Sequence, residues 1–300
     1  MKPFVYLAPL PEFEYFAPGT LQELLELLDK YCERAKIIAG GTDLTILLKD
    51  RVVRPEAIID ISHLKKELGY IREISPNIEI GSLTTHSEIS SSELLQRKAE
   101  CLAEACSILG TLQVRNLGTI GGNLVNASPA ADTAPPLLVL DGAIVLKSLK
   151  NERILKIEEF FKGVKQTAIK PDEVLEKIFF KPLNRDEYAS TYMRIGRRNA
   201  NSISVVSVAN VVKVEDGVFE DVRISLGAVA PTPIMAREAS NFLKGRRVNI
   251  DNIEKAAEIA AREAKPISDI RASEWYRREM VRILTKRSII KSLEKLGVTI

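Results

Sequence analysis

The chain has 300 residues, enough for roughly two or three domains, and its 45% hydrophobic and 28% charged residues are typical of a globular protein. Its 43 basic and 40 acidic residues are interspersed and give a net charge of +3, which excludes proteins that bind nucleic acid or anionic membranes mainly through charge. No segment approaches about eighteen apolar residues and Met1–Phe4 starts no signal peptide, so we expect a soluble, cytoplasmic protein without a membrane span.

Residues 1–61 are predicted to form a first unit with the order β-α-β-α-β. Thr20 and Glu23 have the spacing of a capping box, and a leucine stripe follows along one helical face. A buried strand at 35–39 leads into a glycine pair, and a second helix and a strand at 57–61 close the unit. This alternation predicts a small, partly parallel sheet with the glycines at the carboxyl end of a strand.

Residues 62–181 are predicted to form a second unit that is richer in hairpins. Apolar runs flank turn signals at 75–77 and at 150–151, which is typical of antiparallel strand pairs. A helix at about 98–109 precedes a second glycine pair. The second unit is therefore expected to be α+β.

Residues 182–300 are predicted to form a third unit. Two long β-branched runs are joined by Asp216-Gly217, a strong signal for a two-residue hairpin. Two helices follow, and the second, at about 273–296, is expected to place Trp275 and Tyr276 in the core. The third unit is thus predicted to combine an antiparallel sheet with helices.

Two glycine pairs carry most of the functional information. The first lies in Ala39-Gly40-Gly41-Thr42-Asp43 and the second in Thr119-Ile120-Gly121-Gly122-Asn123. Glycine allows successive backbone N–H groups to converge and form a nest that binds an anion such as a phosphate. One Gly-Gly pair is more often only a turn, but two nests suit a diphosphate gripped from both sides. We therefore predict a dinucleotide ligand.

Side chains beside the glycines could complete this site. Thr119 and Asn123 can donate to phosphate oxygens, and Asp132 can accept from a ribose hydroxyl or an ordered water. Asp132 could equally be the N-cap of a helix that begins at Ala134, and both roles can coexist. The sequence has no G-x-G-x-x-G or P-loop motif, so a Rossmann or Walker site is not expected.

Other reactive residue types are few. Cys32, Cys101 and Cys106 form no C-x-x-C pair, and their odd number argues against a disulfide framework. With only His63 and His86 in addition, the sequence provides no plausible zinc or iron–sulfur ligand set. We predict no metal ligands, and no residue in a nucleophilic or acid–base role.

The two glycine motifs, the segment 81–86 and the pair Pro129 and Asp132 resemble the FAD subunit of the molybdenum hydroxylases. That family includes the medium subunit of carbon monoxide dehydrogenase and the flavin domain of xanthine dehydrogenase. The resemblance runs through the whole chain, including the segments 192–198 and 269–277. It implies an α+β protein with a two-subdomain FAD-binding fold of the vanillyl-alcohol oxidase type. A C-terminal α+β domain of antiparallel sheet and helices would follow.

The resemblance also implies where non-covalent FAD would bind. Its diphosphate would lie between the two glycine loops with Asp132 nearby, and Thr84 and the backbone around Leu175 and Ile178 would line the nucleotide. The residues expected to bind the cofactor are Ile37, Ile38, Ala39, Gly40, Gly41, Thr42, Asp43, Thr84, Thr119, Ile120, Gly121, Gly122, Asn123, Asp132, Leu175, Ile178, Tyr192 and Arg194.

At the flavin ring, the resemblance matches Tyr192 to an aromatic that packs near the isoalloxazine in some relatives. It matches Arg194 and Arg197 to basic positions near the flavin and the entrance for the electron acceptor. From the residues alone, Tyr192 could equally be ordinary strand packing, and the arginines together with Arg198 could be a solvated face. The chain departs from the pattern at Asn201, where relatives often carry Asp. It also lacks the cysteine-bearing insertion of the hydroxybenzoyl-CoA reductase branch.

The function implied by the resemblance is electron transfer. FAD would take electrons from [2Fe–2S] clusters on a small partner subunit and pass them to NAD, a quinone, oxygen or another acceptor. The molybdenum cofactor and the substrate would lie on a large partner subunit. Two alternatives stay open. One is a stand-alone flavin oxidoreductase of the same fold, resembling UDP-N-acetylenolpyruvoylglucosamine reductase, and the other is a non-redox nucleotide-binding or assembly module.

Overall fold

The computed structural model describes residues 10–198 and 200–300, so the segment Met1–Phe4 lies outside the described residues. The first unit contains β1 (Glu14–Phe16), α1 (Leu21–Tyr31), β2 (Ala35–Ile38), α2 (Leu44–Lys49), β3 (Ala57–Asp60) and α3 (Lys65–Leu68). Its strands pair in parallel in the order β1-β3-β2, which confirms the predicted alternation. Thr20 begins α1 by accepting a 3.2 Å hydrogen bond from the Glu23 N–H, and the leucine stripe packs against the sheet.

The second unit combines an antiparallel sheet with short helices. Its elements are β4 (Ile71–Ile74), β5 (Asn77–Gly81), α4 (His86–Ser91), α5 (Glu93–Lys98), α6 (Glu100–Ile108), α7 (Leu112–Leu117), α8 (Ile120–Val125), α9 (Ala134–Val139), β6 (Ala143–Lys147), β7 (Glu152–Lys156), α10 (Ile157–Phe160), β8 (Phe161–Gly163), β9 (Gln166–Thr167) and β10 (Val174–Phe180). Both predicted hairpins are present, as β4-β5 and β6-β7, and β10 joins them in the order β4-β5-β10-β6-β7. The helix predicted at 98–109 is α6.

The third unit packs helices against a second antiparallel sheet. Its elements are β11 (Tyr188–Gly196), β12 (Ser204–Glu215), β13 (Val218–Gly227), β14 (Ile234–Met235), α11 (Arg237–Leu243), α12 (Ile250–Glu263) and α13 (Glu274–Lys295). The strands pair in the order β11-β12-β13-β14. Asp216 and Gly217 have φ values of 50° and 73°, as a tight hairpin turn requires, so the predicted hairpin is confirmed. In the described residues, no helix combines the length and apolarity that a membrane crossing requires.

The expectation for Trp275 is wrong. Its side chain is 73% exposed, whereas Tyr276 is half-buried and packs on the apolar core of the third unit. The buried stripe of α13 runs through Arg277, Val281 and Leu284 instead. Trp275 lies off this stripe because it is two positions from Arg277, and residues two positions apart in a helix point about 200° away from each other.

The third unit rests on α6, the helix that precedes the second glycine motif. Glu104 accepts hydrogen bonds from the backbone N–H of Tyr192 at 2.7 Å and from the ammonium of Lys291 at 2.8 Å. The backbone N–H of Cys101 donates to the Ser190 hydroxyl at 3.1 Å. Tyr192 also belongs to the same buried apolar cluster as the second unit. The core of the second unit therefore extends into the third unit, which also has an apolar core of its own.

His86 is buried at the start of α4, beneath the second glycine motif. Its Nδ1 lies 3.7 Å from the Sγ of Cys106, and a Cβ on Gly118 would lie 3.2 Å from its ring. Burial, with a further contribution from the positive charge of Arg115, lowers the pKa of His86 to about 4. The imidazole is therefore neutral at neutral pH and serves as packing under the loop.

We expect the free energy of unfolding to fall as the pH drops from about 6.5 to about 4, because the unfolded chain protonates His86 in that window and the folded chain does not. Above this window His86 is neutral in both states and does not lower the free energy of unfolding. Across the window that free energy falls by about 3 kcal/mol. Urea unfolding at several pH values measures it. His86→Gln is the control because glutamine does not titrate, and an equally steep pH dependence in that variant would contradict the assignment.

Candidate functional site

The first glycine loop connects β2 to α2. Ile37 and Ile38 are half-buried residues of β2, and Gly41 has a φ of +67°, in the left-handed region that favours glycine. Within the described residues, the four successive backbone N–H groups from Gly40 to Asp43 donate to no other group. Unpaired N–H groups in such a turn form a concave site for an anion, so this loop fits a phosphate.

The two glycine motifs are in direct backbone contact. A Cβ on Gly40 would lie 1.9 Å from the carbonyl oxygen of Leu117, so only glycine permits this approach. The carboxylate of Asp43 makes no cap bond to α2 and instead accepts a 3.1 Å hydrogen bond from the Asn126 amide. The first and second units therefore bring the two predicted loops together.

The second glycine motif is the N-terminus of α8 and is not an open nest. The N–H groups of Ile120 and Gly121 donate to the segment 82–85, which packs against the motif, and those of Gly122 and Asn123 donate to Thr119. The prediction of a second set of free N–H groups is therefore wrong, because the distant segment 82–85 and the helix-capping Thr119 each accept two of them. The pairs are Ile120 with the Thr84 carbonyl at 3.0 Å, Gly121 with the Ser82 carbonyl at 2.9 Å, and Gly122 with the Thr119 hydroxyl at 3.1 Å.

The open side of α8 presents Gly122 and Asn123. A Cβ on Gly121 would lie 2.6 Å from that of Ser82, so this glycine serves close packing. Gly122 is exposed, and a Cβ there would meet only one hydroxyl, at 3.1 Å. The Thr133 hydroxyl donates to the side-chain Oδ1 of Asn123 at 2.6 Å, which leaves the amide Nδ2 as a donor with no partner in the described residues.

Three predicted lining residues lie behind this open side. The hydroxyl of Thr84 donates to the Tyr70 carbonyl at 2.9 Å, and the side chain is buried. Leu175 and Ile178 are buried in the central strand β10, where Ile178 pairs with strands on both sides. These residues therefore lie in the layer beneath the site. Their side chains are buried, and much of their backbone is hydrogen-bonded within the second unit.

Two polar residues beside the loops were not predicted. The ammonium of Lys165 donates to the side-chain Oδ1 of Asn126 at 2.7 Å, and the Nδ2 of the same amide donates to the Asp43 carboxylate. This chain of contacts places a positive charge next to the first loop. Lys165 lies in the turn between β8 and β9, with a φ of +59°, and nothing in its local sequence relates it to a glycine motif.

Asp132 is buried and bound by the third unit. Its Oδ1 accepts hydrogen bonds from the hydroxyls of Tyr192 at 2.6 Å and Ser204 at 2.5 Å, and its Oδ2 pairs with Arg194 at 3.2 Å. Burial raises the pKa of Asp132, and the three partners oppose that rise. The N-cap of α9 is Thr133, so the N-cap interpretation of Asp132 is wrong. Contact between Asp132 and a ribose stays a prediction.

Tyr192 and Arg194 also face inward. Tyr192 is 3% exposed, and burial followed by the charge of Asp132 raises the pKa of its phenol well above the ordinary value. The Arg194 guanidinium donates to the carbonyls of Ser202 at 2.9 Å and Ile108 at 2.6 Å. A solvated face is therefore a correct description of the exposed residues 197–198 but not of Arg194.

Comparison with known proteins agrees with this architecture. Residues 11–182 match the family of the FAD binding domain in molybdopterin dehydrogenase, and residues 190–292 match the CO dehydrogenase flavoprotein C-terminal domain. The chain is 35% identical over 278 residues to the glyceraldehyde dehydrogenase medium chain of Sulfolobus acidocaldarius, covering 93% of this chain and 97% of the relative. It is 33% identical over 292 residues to the nicotinate dehydrogenase FAD-subunit of Eubacterium barkeri, covering 96% and 98%.

Among solved structures, the chain is similar to one in carbon monoxide dehydrogenase from Hydrogenophaga pseudoflava. The TM-score is 0.92 at 29% identity, and the match covers 96% of this chain and 99% of the other. The α+β fold with a two-part FAD-binding region and a C-terminal unit is thereby confirmed. The chain belongs to the family of FAD-binding subunits of the molybdopterin dehydrogenases, which are oxidoreductases.

Proposed function

We propose that this chain carries FAD as the electron-transfer subunit of a multi-subunit molybdenum hydroxylase. The observation that carries this proposal is the row of unpaired N–H groups from Gly40 to Asp43, held in contact with the second glycine motif. A dinucleotide diphosphate has the charge that such a row binds. The Asn123 amide and the ammonium of Lys165 add donors at the edges of the same site.

The residues divide into those that would bind FAD and those that would keep the surrounding units in position. Gly40–Asp43 and Asn123 would bind the diphosphate, and bound FAD would supply the redox chemistry. Asp132, with Tyr192 and Arg194, would fix the third unit against the second motif from inside the protein. The domain division at 61 and 181 stays part of this proposal.

The partners follow from the family and from what this chain lacks. Relatives are named as medium chains or FAD subunits, which supports a complex with other subunits. In the described residues, no cluster of His, Cys, Asp or Glu could hold a metal. We therefore place the [2Fe–2S] clusters on a small partner subunit, the molybdenum cofactor and substrate on a large one, and the final acceptor, NAD, a quinone or another carrier, outside the chain.

Calorimetric titration of the purified chain with FAD tests the proposal, and we expect one FAD bound per chain. A chain that stays colourless and binds no FAD would refute it. Equal affinity for ADP and FAD would support a nucleotide-binding module instead. Turnover of a small substrate by the isolated chain with NAD(P)H would support a stand-alone flavin oxidoreductase.

Gly122→Val is expected to weaken FAD binding roughly tenfold or more with the fold intact, since its side chain enters the open side of α8, where overpacking costs about 1–3 kcal/mol. Gly19→Val is the matched control, because Gly19 is also exposed and a Cβ there meets only the far end of Glu23 at 3.8 Å. Circular dichroism checks folding and calorimetry gives the Kd. Unchanged affinity in Gly122→Val would exclude the open side of α8 as the cofactor surface.

Asp132→Asn is expected to lower stability by about 2 kcal/mol, because it removes the charge that pairs with buried Arg194. Tyr192→Phe, which deletes one hydrogen bond to the same carboxylate, should lower stability less, by about 1 kcal/mol. Both variants should still bind FAD stoichiometrically if Asp132 positions the third unit. Loss of FAD in Asp132→Asn at unchanged stability would instead identify Asp132 as a direct ligand of the cofactor.

A further inference from the structure

Three segments meet at one corner of the molecule, next to the glycine loops. The Arg194 guanidinium binds the carbonyl of Ile108, and the backbone N–H of Asn201 binds the carbonyl of Gly110 at 3.4 Å. The Arg197 guanidinium binds the carbonyl of Ile270 at 3.3 Å. The segment 108–112, the loop between β11 and β12, and the segment 269–275 are thus in contact. We call this region the corner surface.

The corner surface presents large apolar side chains to solvent. Their exposed fractions range from 41% for Ile108 to 89% for Ile270. Single exposed apolar residues are normal, but a group of them on segments that touch one another marks an interaction site. An exposed tryptophan is notable because this residue type often anchors protein interfaces. The apolar members are Ile108, Leu112, Ile203, Ile270 and Trp275.

The same corner is positively charged. The sequence has no Asp or Glu from 105 to 131 or from 188 to 214, which supply two of its three segments. The third segment adds Asp269 and Glu274, and arginines pair with both carboxylates. Arg197 and Arg198 are exposed and their guanidiniums bind only backbone carbonyls, of Ile270 and Asn201, in the described residues. The Arg115 guanidinium likewise binds a backbone carbonyl, that of Leu109. These charges have no carboxylate to neutralise them within the described chain.

We propose that the corner surface is the docking site of the iron–sulfur partner subunit, through an acidic face with an apolar centre. This inference rests on the proposed function, because it assigns the partner of that electron-transfer site. Charge selects the partner: acidic groups would neutralise the unpaired guanidiniums, whereas a two-fold contact between two copies of this chain would bring like charges together.

The place of the surface in the fold suits electron transfer. α7 begins at Leu112 and ends at Leu117, whose carbonyl touches Gly40 of the first glycine loop. A protein docked on the corner surface is therefore held next to the loops that would carry FAD. Positioning of the redox groups is the main contribution that a protein makes to such transfer.

The apolar part is tested with Ile270→Glu in the complex co-expressed with its iron–sulfur and molybdenum subunits. We expect association with the iron–sulfur subunit to weaken about tenfold or more, with FAD content unchanged. Ile154→Glu on β7 is the matched control, because Ile154 is also well exposed, at 61%, and lies away from the corner. Native mass spectrometry and titration of the purified subunits give the affinities. Equal affinities of both variants and wild type would overturn the proposal.

The charged part is tested with Arg198→Glu, with Lys162→Glu as the control, since Lys162 is exposed and belongs to β8. Arg198→Glu should weaken association with the iron–sulfur subunit about tenfold and reduce its dependence on salt, whereas the control should do neither. Loss of FAD in Arg198→Glu would show that the charge serves the cofactor, and would overturn the docking role.

Two further outcomes separate this inference from the proposed function. Wild-type chain that binds FAD and joins the iron–sulfur subunit, with no effect of either corner variant, refutes the docking surface alone. Wild-type chain that neither binds FAD nor joins that subunit refutes the proposed function. Self-association of the chain alone that Ile270→Glu abolishes would identify a second copy as the occupant, and would overturn the proposal.

Discussion

The backbone contact between Gly40 and the Leu117 carbonyl is the constraint on which the rest of the site depends. No residue with a Cβ fits there, because the Cβ would lie 1.9 Å from the carbonyl oxygen. The contact joins a parallel α/β unit to an antiparallel one through the glycine motif that each unit contains. It also leaves the N–H groups of the first loop unpaired, since the second loop meets that loop through a carbonyl and not through donors.

The two motifs look alike in the sequence and act differently in the structure. The first offers free backbone donors, whereas the second is held rigid by its own hydrogen bonds to the segment 82–85. Because the second motif is fixed beside the free donors of the first loop, the site needs little rearrangement when a ligand binds. Such preorganisation favours affinity. The two glycines of the second motif also differ in role. Gly121 allows close packing against Ser82, whereas Gly122 faces open space.

Much of the fold could be predicted from local signals. The β-α-β alternation follows from periodicity, the hairpin at Asp216-Gly217 from turn chemistry, and the placing of the two loops at one site from the resemblance to a family. What failed depends on neighbours distant in the sequence. Free N–H groups cannot be distinguished from paired ones without knowing that Ser82 and Thr84 lie against the motif. For Trp275, helical spacing did not reveal which face of α13 meets the sheet.

The shared core around Tyr192 has a consequence for how such subunits evolve and can be rebuilt. Strand residues of the third unit, including Ala209 and Val211, lie in the same apolar cluster as α6 and β10. The third unit is therefore joined to the second by a buried apolar contact, although it also has a core of its own and its chain segment is continuous. A chimera that exchanges the third unit between relatives must also exchange the surface of α6 that faces it. Otherwise apolar side chains of this interface lose their matching neighbours and become exposed to solvent.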